Sequence, residues 1–143
     1  MRIALASDHG GFEMKSHIKR HLEDRGFETL DLGTDSGEPV DYPAYGRACG
    51  EAVASGKADL GVACCGTGIG ISIAANKVKG VRCALCSSVE MAEMAKRHNN
   101  ANMLALGGRT LDPGAAAAIT DAWLDAAFEG GRHGRRVGML DDM

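Results

Sequence analysis

Five short strand-like runs, most of them leading through a glycine-rich turn into an amphipathic stretch, constrain this chain more than any other feature. They are Ile3–Ala6, Phe27–Leu32, Leu60–Cys64, Val81–Cys86 and Met103–Leu106. Alternation of this kind predicts an α/β domain: a parallel sheet with helices on both faces. The expected fold is a single-domain, three-layer α/β/α sandwich around a five-stranded, Rossmann-like sheet. Ligands of such sheets bind beyond the carboxyl ends of the strands. Asp8-His9, Cys65–Gly70, Ser87-Ser88 and Gly107–Arg109 all fall at those ends.

The helices have their own signals. Met14, Ile18 and Leu22 repeat at four-residue spacing up to about Arg25, and Gly26 is placed to cap that helix. Asp41-Tyr42-Pro43 opens a second helix, with Pro43 in its first turn, and Gly56 ends it. Ile71–Lys77 reads as the helix after the third strand. Ser87-Ser88-Val89-Glu90 fits a capping box, with a helix to about Arg97 and His98-Asn99-Asn100 closing it. Asp112-Pro113 starts the last long helix. Gly130–Arg136 is short and basic and, on its composition, reads as a solvated arm. No repeat or interdomain linker interrupts residues 1–143.

The richest turn is Cys65-Gly66-Thr67-Gly68-Ile69-Gly70, between a buried strand and a helix. A glycine-rich turn at a helix N-terminus leaves backbone N–H groups unpaired and aimed at one point, which makes an anion site. Negative charge is favoured there. One short loop therefore offers both a thiolate base or nucleophile and a cradle for an oxyanion. Without Gly-Lys-Ser/Thr this is not a P-loop. The glycines do not match G-x-G-x-x-G, and the next strand ends in Ser87-Ser88, not in the acidic residue a dinucleotide ribose needs.

The chain has 143 residues, 45% of them hydrophobic, and a net charge of -3. That length can bury a real core, and the charge argues against general nucleic-acid binding. No apolar run approaches a membrane span, and the N-terminus is too short in its apolar part for a signal peptide. A cytoplasmic protein is expected. Cys49, Cys64, Cys65, Cys83 and Cys86 then read as reduced thiols. A zinc site from Cys64, Cys65, Cys83 and Cys86 is disfavoured, because residues three apart on a strand point to opposite faces. Cys64 should likewise face away from Cys65, into the core. His17 and His21 fall mid-helix and read as structural or surface residues.

Ser7-Asp8-His9-Gly10-Gly11, Asp41-Tyr42-Pro43, Cys65–Ser72, Arg97-His98-Asn99 and Gly130-Gly131-Arg132-His133 occur in that order. As a set they resemble the type B ribose-5-phosphate isomerases, relatives of allose- and galactose-6-phosphate isomerases. The resemblance covers nearly the whole chain. It implies a homodimer or dimer of dimers with sites between subunits, and no metal or organic cofactor. The implied reaction is aldose–ketose isomerisation of a sugar phosphate, with ribose 5-phosphate and ribulose 5-phosphate as the expected pair.

That chemistry moves a proton between two carbons through a cis-enediolate. Cys65 is the candidate base. The family has a second pattern with an acid six residues later, but position 71 here is Ile71. The N–H groups of Gly66, Thr67, Gly68, Ile69 and Gly70 suit the enediolate oxygens, and the Thr67 hydroxyl can bond a substrate oxygen or relay a proton. His98 and Asp8 are the candidates for opening a furanose ring, since an imidazole serves proton transfer in either direction. Tyr42 and Asn99 resemble substrate-hydroxyl contacts. His9, Arg109, Arg132 and Arg136 match phosphate positions, and the resemblance implies that the C-terminal arginines reach a neighbouring subunit. His133 and Arg135 have weaker claims. The chain ends at Met143, sooner than the longer terminal helix of many members.

Two further readings stay open from the residues. A non-catalytic sugar-phosphate sensor would use the same cradles without needing a thiol, and the isomerase substrate could be a six-carbon or four-carbon sugar phosphate. A thiol-redox role for Cys64-Cys65 ranks last, because adjacent cysteines bridge only through a distorted peptide.

Overall fold

The computed structural model describes all residues, 1–143. Strands β1 (Arg2–Ser7), β2 (Glu28–Asp31), β3 (Leu60–Cys65), β4 (Cys83–Leu85) and β5 (Met103–Gly107) alternate with helices α1 (Phe12–Asp24), α2 (Tyr42–Ala54), α3 (Ile69–Asn76), α4 (Val89–Asn99) and α5 (Pro113–Asp125). A final helix, α6 (Arg132–Asp141), closes the chain. All strand pairs are parallel, in the order β2-β1-β3-β5-β4. This is the expected three-layer α/β/α sandwich.

Strand alternation divides the core. Ile3, Leu5, Val62, Cys64, Leu104 and Leu106 face α1, α4 and α5, where they meet Ile18, Leu22, Ala92, Ile119 and Trp123. Ala4, Ala6, Ala63, Cys65, Met103 and Ala105 face α2 and α3, where they meet Cys49, Val53, Ile71 and Ala75. Cys64 and Cys65 therefore point to opposite layers, as do Cys83 and Cys86. Trp123 is fully buried, and its Nε1–H donates to the Ala101 carbonyl at 2.9 Å. Trp123→Ala should cost about 3–5 kcal/mol of stability, read as a lowered denaturation midpoint.

Chain order reverses between β1 and β3: β2 lies on one side of β1, and the chain continues on the other. The crevice at that switch point is where ligands enter sheets of this class. Glycine enables the helix ends nearby. Gly26 (φ +91°) and Gly56 (φ +81°) follow α1 and α2 in the left-handed conformation that stops a helix.

Beyond one-residue shifts at the ends of β1, β2, β3 and β5, three boundaries differ from the sequence reading. Helix α3 begins at Ile69 because Gly68, at φ +80°, serves as its N-cap. Strand β4 is shorter than Val81–Cys86: the Val81 N–H returns to the Val78 carbonyl, and the Arg82 N–H goes to the Asn102 side chain. Ser88, not Ser87, caps α4, accepting from the Met91 N–H at 3.1 Å, so Glu90 cannot close a capping box. The basic arm is also corrected. It folds as α6, burying His133 and Val137 one turn apart, with Asp141 paired to Arg82 at 2.8 Å.

Candidate active site

The loops after β1, β3 and β5 converge at the switch point. Asp8 is buried and caps the tight turn at His9–Gly11, accepting from the Gly11 N–H at 3.1 Å. Gly11 lies against the Cys64 backbone so closely that no side chain fits. A methyl group on Gly10 would stand 3.1 Å from the Gly66 nitrogen and 3.3 Å from the Arg109 guanidinium carbon. Gly108 N–H donates to the Cys65 carbonyl at 2.8 Å, and Arg109 N–H to the Gly66 carbonyl at 2.9 Å. These contacts fold the Arg109 side chain over the thiol loop.

Within that loop Cys65 Sγ accepts the Gly68 N–H at 3.2 Å, and Thr67 Oγ1 accepts the Ile69 N–H at 3.2 Å. The N–H groups of Gly66, Thr67, Gly70 and Ile71 donate to no protein acceptor. Of the five residues whose amides the sequence nominated, Gly66, Thr67 and Gly70 keep free donors. Gly68 and Ile69 spend theirs on holding the thiol and the Thr67 hydroxyl in place. Tyr42 packs its ring over the first turn of α3, where only a glycine at position 70 leaves room for it. The five thiols are free. Burial pushes the Cys64 and Cys83 thiols well up, Cys49 to about 12 and Cys86 to about 11. The Cys65 sulfur differs from them in accepting a backbone N–H, that of Gly68.

The loop at 33–41 has a defined task. Lys15 is fully buried, and its Nζ donates at 2.6 Å to both Asp31 Oδ1 and the Thr34 carbonyl. The Ser7 N–H donates to the Gly33 carbonyl, and the Thr34 N–H to the Ser7 carbonyl, so the loop is laid along the end of β1. Its far end returns to the site, where the Val40 N–H donates to His9 Nδ1 at 3.2 Å. That bond puts the proton of a neutral His9 on Nε2, so Nε2 is a donor. Burial pushes the Asp31 carboxyl up. The Lys15 hydrogen bond, the Gly33 N–H and the charges of Lys15 and Lys19 outweigh it and hold it below the usual carboxylate range. A depressed carboxylate adds stability above its unfolded value, about 3.9. That stability disappears as pH falls through the folded value. Lys15→Met should therefore lose about 1.5–3 kcal/mol at neutral pH, and less at low pH. KM should rise more than kcat falls, because the loop is hydrogen-bonded to His9 and not to Cys65. Denaturation at two pH values and steady-state kinetics check both parts.

His98, Asn99, Arg132 and Arg136 lie elsewhere. Helix α4 leaves the carboxyl end of β4, so its last turn lies at the amino end of the sheet. There the Asn99 carbonyl accepts from Arg82, and the Asn102 carbonyl accepts the Gly61 N–H. Gly61 pairs with Met103 and Cys65 with Gly107, four register steps apart. Those steps alone separate the two ends by about 13 Å. Around His98 the chain builds a second cluster. The His98 and His133 rings stack with centroids 4.1 Å apart, and both face Glu129, which Arg97 holds at 2.6 Å. The Arg97 hydrogen bond holds the Glu129 carboxyl below its usual range. Desolvation, together with the His98 and Arg132 charges, lowers His133. Arg132 and Arg136 have no ion-pair partner within the chain. A cavity of about 490 Å³ at this end includes Asn99 and Arg82 but none of the thiol loop. A cleft of about 250 Å³ lies beside Thr67.

A model of the ribose/galactose isomerases matches residues 3–140. The chain belongs to the ribose/galactose isomerase family. Ribose-5-phosphate isomerase B of Escherichia coli (strain K12) is 48% identical over 136 residues, 95% of this chain and 91% of that one. The structure of ribose-5-phosphate isomerase B from Clostridium thermocellum superposes with a TM-score of 0.98 at 51% identity, covering 99% of this chain and 96% of that one. Ribose-5-phosphate isomerase B from Mycoplasma genitalium, with bound ribulose-5-phosphate, superposes with a TM-score of 0.94 at 40% identity, covering 99% and 94%.

In this isomerase-family chain the structure thus gathers Asp8, His9, Tyr42, Cys65–Gly70 and Arg109 at one end. It sets His98, Asn99, Arg132 and Arg136 at the other. Sequence reasoning missed Lys15, the Val40 and Ile71 amides, and Glu129. Only Lys15 left a signal: it stands three residues before Ile18 and seven before Leu22, so helical spacing put a charge in the buried stripe.

Proposed function

We propose that the protein interconverts D-ribose 5-phosphate and D-ribulose 5-phosphate, with Cys65 as the base. The observation that carries this reading is a thiol facing a nest of four unclaimed N–H groups at the switch-point crevice, under Arg109. In this reading His98 and Asp8 open the furanose ring, one taking the anomeric hydroxyl proton as the ring oxygen gains another. Cys65 takes the proton from carbon 2. The developing enediolate oxygen is met by the free amides of Gly66, Thr67, Gly70 and Ile71, with Thr67 Oγ1 beside them. Each such donor is typically worth about 2.7–4 kcal/mol of barrier. The proton then returns to carbon 1 while the carbon-2 hydroxyl proton passes to the carbon-1 oxygen, leaving the carbon-2 carbonyl. Phosphate is gripped by His9 Nε2–H and Arg109, with Arg132 and Arg136 completing the set. Tyr42 and Asn99 bond sugar hydroxyls.

The two clusters lie at opposite ends of one sheet, so His98, Asn99, Arg132 and Arg136 reach the thiol loop from a second copy. A homodimer, alone or paired again, with two shared sites is the simplest such assembly. Exposed Ile69, Ile73, Val89 and Met91 on α3 and α4 offer apolar surface for it. No helix is long and apolar enough to cross a membrane, and a cytoplasmic location fits the free thiols. The substrate is tested by turnover of ribose 5-phosphate in EDTA beside allose 6-phosphate. Ribose 5-phosphate should be much the faster. Preference for the six-carbon sugar would move the assignment to that substrate, and no turnover by folded protein would favour the sensor.

A further inference from the structure

We propose that His98, Glu129 and His133 form a binding site for a zinc-class divalent ion, and that filling it stops turnover. The binding half stands on geometry alone. The inhibitory half rests on the proposed role of His98 in ring opening.

Three elements bring the ligands together: the last turn of α4, the connection before α6 and the first turn of α6. One ligand atom from each residue lies within 4.8 Å of the other two. The Nε2 atoms of His98 and His133 are each 3.7 Å from Glu129 Oε1. Around a tetrahedral ion with bonds of about 2.0–2.1 Å, ligand atoms stand about 3.4 Å apart. Two of the three edges are thus within a few tenths of an ångström of that spacing. The rings, stacked within 5° of parallel, must splay to aim both nitrogens at one point. His98 has that freedom, since its side chain is 36% exposed at the end of its helix.

Two observations separate this cluster from an ordinary surface group. His133 is only 9% exposed, yet its Nε2 is buried without a hydrogen-bond partner and directed at the Glu129 carboxylate. A buried nitrogen in that state has an unmet bond, and a metal supplies it. Secondly, Arg97 engages Glu129 Oε2 at 2.6 Å while holding Glu93 at 3.2 Å. The carboxylate is therefore fixed with Oε1 turned to the imidazoles, the outer support that metal ligands need. Two imidazoles and one carboxylate suit Zn²⁺, Co²⁺ or Ni²⁺ and not the all-oxygen preference of Ca²⁺ or Mg²⁺. Three protein ligands leave a fourth position open to water. Nearby Arg132 and Arg136 repel a dication, which keeps the affinity below that of a closed structural site. A metal bond uses the His98 lone pair that ring opening requires.

The experiment is titration of the intact protein with Zn²⁺, following heat of binding and ribose 5-phosphate turnover, with His133→Gln and Glu129→Gln alongside. Each variant is scored against its own metal-free rate. One ion per chain should bind, turnover should fall as it does, and EDTA should restore it. Either variant should need at least tenfold more Zn²⁺ for the same loss. Substituting Co²⁺ should give a visible band without a sulfur charge-transfer band. Wild-type-like inhibition in both variants, or a sulfur band, would place the metal on Cys65 and overturn the site. Binding that the variants abolish, with turnover untouched throughout, would keep the site and overturn the ring-opening role of His98.

Discussion

Cys65→Ala should lower kcat for ribose 5-phosphate by roughly 10²–10⁴-fold while the sugar phosphate still binds. The reason is a division of labour within one loop. The sulfur is the only group there able to take a carbon-bound proton. The cradle is backbone, and its geometry rests on Gly68 at φ +80° and on the contacts of Gly10 and Gly108, to which the thiol adds a single hydrogen bond from the Gly68 N–H. The phosphate contacts proposed for His9 and Arg109 should also survive. The fold should lose on the order of 1 kcal/mol, since one buried sulfur is removed. Cys65→Ser should fall almost as far, because a hydroxyl keeps the Gly68 hydrogen bond but is too weak a base. Cys64→Ala is the control: it removes a thiol from the opposite face of β3, lowering stability and leaving kcat near wild type. Calorimetric binding of ribose 5-phosphate beside rate measurement separates the outcomes. Loss of binding in step with rate would make Cys65 a structural residue of the loop.

Much of this arrangement is legible in the sequence, for a local reason. β1, β3 and β5 are short apolar runs buried on both faces, and the turns after them are rich in glycine because three backbones meet there. Those turns hold Asp8, Cys65 and Arg109, so half of the site could be read from strand ends alone. What stayed hidden depends on distance along the chain. The placement of β5 between β3 and β4 leaves no periodic trace. Lys15 finds Thr34, and Val40 finds His9, only once the loop after β2 is laid across β1. The terminal helix was masked by Gly134 and Gly138, which lower helix propensity, and by Arg132 at its start and Asp141 at its end, which oppose the helix dipole. It forms because α4 offers His133 and Val137 a surface to bury against. The resemblance supplied His98, but only the fold showed that it stands at the far end of the sheet from Cys65.

That separation leads to the sharpest expectation. His98→Ala should slow conversion of ribose 5-phosphate by roughly 10²–10⁴-fold, since it removes the group proposed to open the furanose. The reverse direction should suffer less: ribulose 5-phosphate has its terminal oxygen esterified, is acyclic, and needs no ring opening. Now let the Cys65→Ala and His98→Ala proteins be mixed under conditions that exchange subunits. In a two-fold dimer each site joins the thiol loop of one copy to the His98 cluster of the other. A mixed dimer then carries one doubly defective site and one in which both Cys65 and His98 are intact. With random exchange half the dimers are mixed and half their sites are whole, so activity should recover to about a quarter of wild type. Two chains each inactive alone would become active together, without any new contact. A mixture that stays as inactive as its components, with exchange verified by mass, would mean that Cys65 and His98 act from the same chain or not in the same reaction. The four register steps between the ends of β3 and β5 make the same-chain arrangement geometrically inaccessible. Failure would therefore remove His98 from the chemistry and leave ring opening to Asp8.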